Sequence, residues 1–400
     1  MRLLFAYDHR FVRDRNGQVH TSGPMHSGVW TRYLERFDRL EVLARFDPAQ
    51  NADSLASAER PGVEFTEGPH LSKARSLIRP PAAATRTIAE AVERADAVVG
   101  RVPSELGRAA LAEARRQGKP TLVEVVGCAW DVYWNHGSRL ARLYAPLAFR
   151  RMRAAVANAD FALYVTEKWL QQRYPTRQPS VNASNVELVP FDGEAQENRR
   201  IRMINVGAGA MPVLGTIASL KVRYKGVDTM IAALADLKRK GLVLEYRVLG
   251  GGDPGYYRAA ADRAGVGDQV FFDGTREPGE GVARWLDTID LYCQPSFQEG
   301  LPRATIEAMS RGLACVGSTS GGLPELLPTD RLHSPGDAGR LSEILERLIR
   351  TPGAIETSAR RDHAHAFAYT PEDLARRRDG IFARLRAAAL SNEQDLTRRT

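Results

Sequence analysis

Short apolar runs alternate along this chain with longer stretches whose apolar residues recur at helical spacing, the arrangement of α/β folds with parallel sheets. In the first half the runs predict strands at Leu3–Tyr7, Leu40–Ala44, Ala97–Arg101, Thr121–Val126 and Phe161–Val165. Between them the spacing predicts helices over Val29–Phe37, Ile88–Arg94, Leu106–Gln117 and Glu167–Tyr174. The stretch Gln50–Pro81 is rich in small and polar residues and carries no readable period. Around Gly193–Arg200 the chain turns polar, which predicts a linker, and then the alternation restarts. Strands are predicted at Arg202–Val206, Val213–Ser219, Glu245–Leu249, Val270–Asp273, Leu291–Gln294 and Ala314–Gly317. Helices are predicted over Val227–Lys238, Tyr256–Arg263, Gly281–Leu286, Arg303–Arg311 and Asp337–Leu348, with a last one over Pro371–Ala389. Two α/β halves result, 1–192 and 193–370, followed by a C-terminal helix and tail at 371–400.

A length of 400 residues exceeds what one core usually takes up, which agrees with two domains. The composition, 43% hydrophobic and 26% charged, is that of a globular protein. The net charge is +8 and almost entirely arginine, since lysine stands only at positions 73, 119, 168, 221, 225, 238 and 240. Arginine forks suit phosphate, but a lysine-poor, alanine-rich chain also arises from genomic base composition. The charge is spread along the chain and no nucleic-acid-binding module is readable, so no nucleic-acid partner is expected. Cys128, Cys293 and Cys315 form no CxxC pair, which argues against a disulfide framework or a zinc site and fits a reducing cytoplasm. The N-terminal apolar run is too short for a signal peptide, and no run reaches membrane-span length. A cytoplasmic protein is expected, one that would meet a membrane only from its surface.

The segment from Leu291 to Gly312 is the most informative. It reads as a strand, a Pro295-Ser296 turn, a loop containing Gly300 and Leu301, then a helix. Pro302 suits a first helical position and Gly312 a C-terminal cap. Unpaired amides at the helix start, near Gly300 and Arg303, can receive a phosphate. Carboxylates beside a diphosphate are repelled by it, so Glu299 and Glu307 suit hydroxyls: a sugar for one, a ribose diol for the other. On spacing alone the two glutamates also fit a helix-capping charge and an unrelated one.

The whole run resembles the glutamate-x7-glutamate signature of retaining GT-B glycosyltransferases, in particular glycosyltransferase family four. Thr319-Ser-Gly-Gly-Leu-Pro-Glu-Leu326 is similar to that family's next loop. Gly215–Gly226 resembles its phosphate-binding strand and loop, with the Lys-Gly pair at Lys225-Gly226. Ser219 stands where the family often has an arginine, and Arg223 or Lys221 is the candidate replacement. Leu249-Gly-Gly-Gly-Asp-Pro254, which contains Gly251, resembles the glycine loop after the second strand. Val270-Phe-Phe-Asp-Gly274, which contains Phe272, resembles the strand end whose backbone contacts the base. Gly207–Pro212 lacks the sixth-position glycine and the ribose acid of a dinucleotide fingerprint.

The first half resembles the family more loosely. Thr121–His136 is a strand that leaves into an aromatic, polar loop. Within it, Trp130-Asp131-Val132-Tyr133 resembles a Leu-Asp-Val-Tyr pattern of lipopolysaccharide-core sugar transferases. There the aspartate lies near the reacting sugar, which makes Asp131 the candidate for positioning or activating the acceptor, with His136 second. A helix-capping role would equally explain Asp131. Thr21–Trp30 stands where the family has a glycine loop facing the donor phosphates, so His26 and Gly28 are candidates there. The run Ser138–Arg153 mixes arginines with Leu, Tyr and Phe, as segments lying on anionic bilayers do. Pro146 is expected to break any long helix there, and a partly buried helix pair is the alternative.

The resemblance implies a GT-B fold: two Rossmann-like domains facing across a cleft, with the C-terminal helix crossing back to the N-terminal domain. It implies transfer of a sugar, with retention, from a nucleoside-diphosphate sugar to an acceptor hydroxyl on a polysaccharide, lipid-linked glycan or natural product. Lys225 and the helix-start amides would stabilise the leaving diphosphate, Glu299 would hold the donor sugar and Glu307 the ribose. No cofactor or metal is expected, since Asp287-Thr-Ile-Asp290 has the wrong spacing for an Asp-x-Asp site. A sugar-nucleotide 2-epimerase on the same fold and a basic nucleic-acid-binding protein are the alternatives.

Overall fold

The computed structural model describes residues 1–47, 55–71 and 81–399, with side chains in the last helix as far as Asn392 and at Gln394. Much of Gln50–Pro81 therefore lies outside the described residues. The chain forms two compact units, Met1–Ala183 together with the segment from Leu374 onward, and Ser184–Asp373.

The first unit is built on β1 (Arg2–Arg13), β2 (Val19–Thr21), β3 (Arg39–Asp47), β4 (Ala56–Ser57), β5 (Val63–Glu67), β6 (Ala97–Val102), β7 (Thr121–Val125), β8 (Phe161–Tyr164) and β9 (Ser180–Asn182). Strands β5-β3-β1-β6-β7-β8-β9 lie parallel in that order. The far end of β1 turns back as an antiparallel hairpin with β2, and β2 pairs with β4. The last helix, Pro371–Arg399, lays Ile381, Phe382, Leu385 and Ala389 into this unit's core. Those positions share one helical face, and Phe382 packs edge-on against Tyr33 with ring centroids 5.2 Å apart. Arg101 and Glu124 are buried side by side on β6 and β7, with the Tyr33 hydroxyl donating to Glu124 at 2.8 Å.

The second unit carries β10 (Val213–Ile217), β11 (Glu245–Leu249), β12 (Val270–Phe272), β13 (Leu291–Gln294), β14 (Ala314–Ser318) and β15 (Leu332–His333). Their order is β12-β11-β10-β13-β14-β15, and every pairing is parallel. Chain order runs outward in both directions from the β10/β13 pair. That pair is the switch point of the sheet, at whose carboxyl end open α/β folds place their ligand sites.

Two predicted elements need correction. Gly193–Arg200 is no linker, and Arg202–Val206 is no strand: both belong to one helix, Gly193–Gly207. Asp192 caps it by accepting from the Ala195 amide at 2.9 Å. The division between units falls nine residues earlier, at Ala183/Ser184. The polar run reads as a linker because most of it is exposed, but buried Arg199 donates to the carbonyls of Leu286, Ile289 and Arg311. Those carbonyls follow or end other helices, where backbone acceptors go unused. Nor does Pro146 break its segment, since Arg139–Asn158 is one helix of 20 residues. Pro146 is exposed, so the carbonyl it leaves without a partner, four residues back, can be hydrated.

Candidate functional site

The loops that follow β10 and β13 cross at the switch point. The β10 loop ends in a short turn, Arg223–Lys225, closed by Gly226 at φ +76°. A side chain on Gly226 would put its Cβ 1.9 Å from the Pro295 carbonyl oxygen, so only glycine lets the two backbones meet here. The Phe297 amide donates to the Tyr224 carbonyl at 2.7 Å and ties the loops together.

This crossing brings together two residues predicted separately. Lys225 Nζ lies 2.7 Å from Glu299 Oε1, in a pair whose side chains are 22% and 9% exposed. Glu299 also accepts from Gln294 Nε2 at 3.0 Å, and the same amide reaches Ser296 Oγ at 2.8 Å. Gln294 Oε1 in turn accepts from the Tyr292 hydroxyl. Tyr292, Gln294 and Ser296 are thus a buried supporting row that the motif reading passed over. Their signal was polar residues at the carboxyl end of an otherwise apolar central strand.

Beyond Glu299 the backbone enters the Arg303–Ser310 helix. Pro302 is its N-cap rather than its first helical residue, and no side chain caps the start. Gly312 stands just past the helix at φ +68°, in the left-handed conformation of a C-terminal cap. The loop after β14 closes over the site: the Gly322 amide donates to the Gly300 carbonyl at 2.6 Å, and a Cβ on Gly321 would lie 2.2 Å from the Glu299 carbonyl oxygen. Leu301 and Pro302 are buried beneath it.

Glu307 faces a different neighbourhood. It lines a small cavity with Glu187, Val189, Gly279, Ser310 and Arg311. Burial pushes its carboxyl above the ordinary range, Arg303 opposes this, and Glu187 adds to it. Two carboxyls sharing a confined space disfavour a phosphate and favour hydroxyl donors. Gly251 belongs to the adjoining loop, where its carbonyl accepts from the Leu220 amide at 2.9 Å. Phe272 packs against Tyr257, with the Arg258 guanidinium 5.8 Å from its ring. Arg223 points outward to Asp228 and Tyr256, while Lys221 is exposed.

In the first unit, His26 caps the short turn Ser27–Trp30 and accepts from the Gly28 amide at 3.3 Å. Asp131 lies in the first turn of the Ala129–Trp134 helix, whose N-cap is Cys128, so Asp131 is not the cap. Burial raises its carboxyl above the usual range against the pull of Arg173, 3.8 Å away, and of a bond from Cys128. Trp130 stacks on Trp134 at 5.3 Å.

His136 instead lines a cavity of about 390 Å³ beside the middle of β1 and the carboxyl end of β6, with Asp8, Arg45, Ser104, Glu105 and Tyr133. Asp131 is not among its lining residues. Asp8 receives the amides of Glu105 and Leu106 and the Ser104 hydroxyl on Oδ2, while its Oδ1 lies 3.3 Å from Arg45 Nε. Asp8 was legible only as a charge ending the first strand. Among the described residues no group of three His, Cys, Asp or Glu side chains is placed to hold a metal ion.

Two α/β units, each built on a largely parallel sheet, define the class, the GT-B fold. HepE of Anabaena, solved in complex with UDP-glucose, superposes with a TM-score of 0.60 at 17% identity, covering 98% of this chain and 100% of that one. Residues 211–351 match the family model described as Glycosyl transferases group 1. CapJ of Staphylococcus aureus is 29% identical over 94% of this chain and 93% of its own length. The amylovoran biosynthesis glycosyltransferase AmsK of Erwinia amylovora is 36% identical over 31% of this chain and 33% of its own. Over residues 211–351 the chain is thus similar to the group 1 glycosyltransferases.

Proposed function

We propose that this enzyme moves a sugar from a nucleoside-diphosphate sugar to an acceptor hydroxyl with retention of anomeric configuration. The observation that carries this reading is the Lys225–Glu299 pair at the β10/β13 switch point, beside an uncapped helix start. The UDP-glucose complex of HepE and the biosynthetic role named for AmsK support it.

In this reading the arriving diphosphate takes Lys225 as its counter-ion and the amides at the start of the Arg303–Ser310 helix as donors. Glu299 is then released to hold hydroxyls of the donor sugar. Glu307, repelled by phosphate and close to Glu187, takes the ribose diol. The bond from the anomeric carbon to the phosphate oxygen breaks, and the acceptor oxygen bonds to that carbon on the same face. The acceptor proton passes to the departing phosphate oxygen, so no protein nucleophile is required. Lys225 and the amides carry the leaving charge, and no metal is needed. His136 and Asp131 are the acceptor-side candidates, His136 through the cavity it shares with Asp8.

The test is a panel of nucleoside-diphosphate sugars, read by thermal shift and by NMR of the product anomer, with EDTA present. A stabilising donor and a retained anomer are expected. Binding of no nucleotide sugar would overturn the site, an inverted product the stereochemistry, and full loss of transfer in EDTA the metal independence. Conversion of donor alone to its 2-epimer would replace transfer with epimerisation.

A further inference from the structure

The Arg139–Asn158 helix has one face with no covering in its own unit. Leu140, Leu143 and Leu147 follow at spacings of three and four and are 72%, 78% and 43% exposed. Trp134, just before the helix, is 45% exposed, and the Arg142 guanidinium sits 5.9 Å from its ring. The opposite face buries Ala145, Ala148, Met152 and Val156. Solitary exposed leucines need no explanation, but three on one helical stripe beside a tryptophan do.

Charge decides what covers them. From Val132 to Ala159 there are five arginines and no Asp or Glu, in a chain that holds 48 acidic residues elsewhere. Arg139, Arg142, Arg150 and Arg153 are exposed. A second copy of this chain would bring arginines against arginines, and a nucleic acid would satisfy the arginines but not the leucines. An anionic bilayer satisfies both. Among the described residues no helix is long and apolar enough to cross a membrane.

We infer that this face docks on an anionic lipid bilayer, with Leu140, Leu143, Leu147 and Trp134 entering the headgroup boundary and Arg139, Arg142, Arg150 and Arg153 meeting lipid phosphates. The 390 Å³ cavity is lined from behind by Ala148 and Met152 of the same helix, so docking sets that cavity beside the lipid surface.

The experiment is co-sedimentation of the full chain with phosphatidylcholine vesicles, with and without phosphatidylglycerol. Comparison variants are Leu143→Ser/Leu147→Ser and Arg139→Glu/Arg150→Glu, all at exposed positions, with melting temperature as the fold control. The wild type is expected on anionic vesicles only and to be released by salt, and each double variant to bind about ten-fold more weakly. Equal binding to neutral and anionic vesicles, or wild-type binding by both variants, would overturn the inference. So would a wild-type dimer in sedimentation velocity that Leu143→Ser/Leu147→Ser makes monomeric, because the stripe would then pair copies.

Discussion

Lys225→Met separates a structural from a catalytic use of the same ion pair. Methionine keeps the length of the side chain and removes its charge. Glu299, only 9% exposed, is then left with the Gln294 amide as its one remaining side-chain partner among the described residues. Breaking a fully buried pair costs about 3–5 kcal/mol. Because Lys225 is 22% exposed, water can partly replace it, and about 1–2 kcal/mol is the appropriate scale. The catalytic loss should be larger. Removing one preorganised donor to developing charge typically costs about 10²–10³ in kcat, or about 2.7–4 kcal/mol. The assay is kcat and donor KM by product formation, with a thermal melt on the same samples. Adding Glu299→Gln to Lys225→Met removes the unpaired buried carboxylate, so the double variant should recover its melting temperature but not its kcat. Turnover within a few-fold of wild type in Lys225→Met would refute the placement of the leaving diphosphate. Recovery of turnover in the double variant would show that Lys225 serves only to neutralise Glu299.

Three further outcomes follow from the same structure. Gly321→Ala forces a side chain to within 2.2 Å of the Glu299 carbonyl oxygen at φ +60°, so donor affinity measured by calorimetry should fall about ten-fold or more as the β13 loop shifts; unchanged affinity would show that this contact does not shape the pocket. Glu307→Leu should raise donor KM by about ten-fold or more with kcat little changed, the pattern of lost ground-state binding, and a fall in kcat at constant KM would place Glu307 at the reacting sugar instead. His9 is held down to about 4 by burial and by Arg101 and Arg45. The unfolded chain, with an ordinary histidine pKa of about 6.5, therefore binds the extra proton between those values, and stability falls as pH drops from about 6.5 to 4. The ceiling on this effect is about 3 kcal/mol, and melts of wild type and His9→Gln at pH 7.5 and 5 test it: the variant should lose less stability on acidification, and equal losses would remove His9 as the cause.

The sequence by itself determined the features that are local. The strands β10 to β14 stand where they were predicted, because a parallel strand packed in the core must carry apolar residues on its buried positions whichever neighbour it takes. The strand, turn, loop and helix from Leu291 to Gly312 were equally legible, since glycine and proline fix backbone angles without help from distant residues. Tertiary structure alone decided which distant groups meet. Lys225 and Glu299 are 74 residues apart, and their pairing depends on β10 and β13 being neighbours, which no local pattern encodes. Gly193–Gly207 became a helix rather than a linker because Arg199 finds backbone acceptors in other segments. Asp8, Arg45, Glu105 and His136 surround one cavity only because four separate elements converge there. The leucines of the Arg139–Asn158 helix were readable as apolar, but only the packed unit showed which of them the core leaves uncovered.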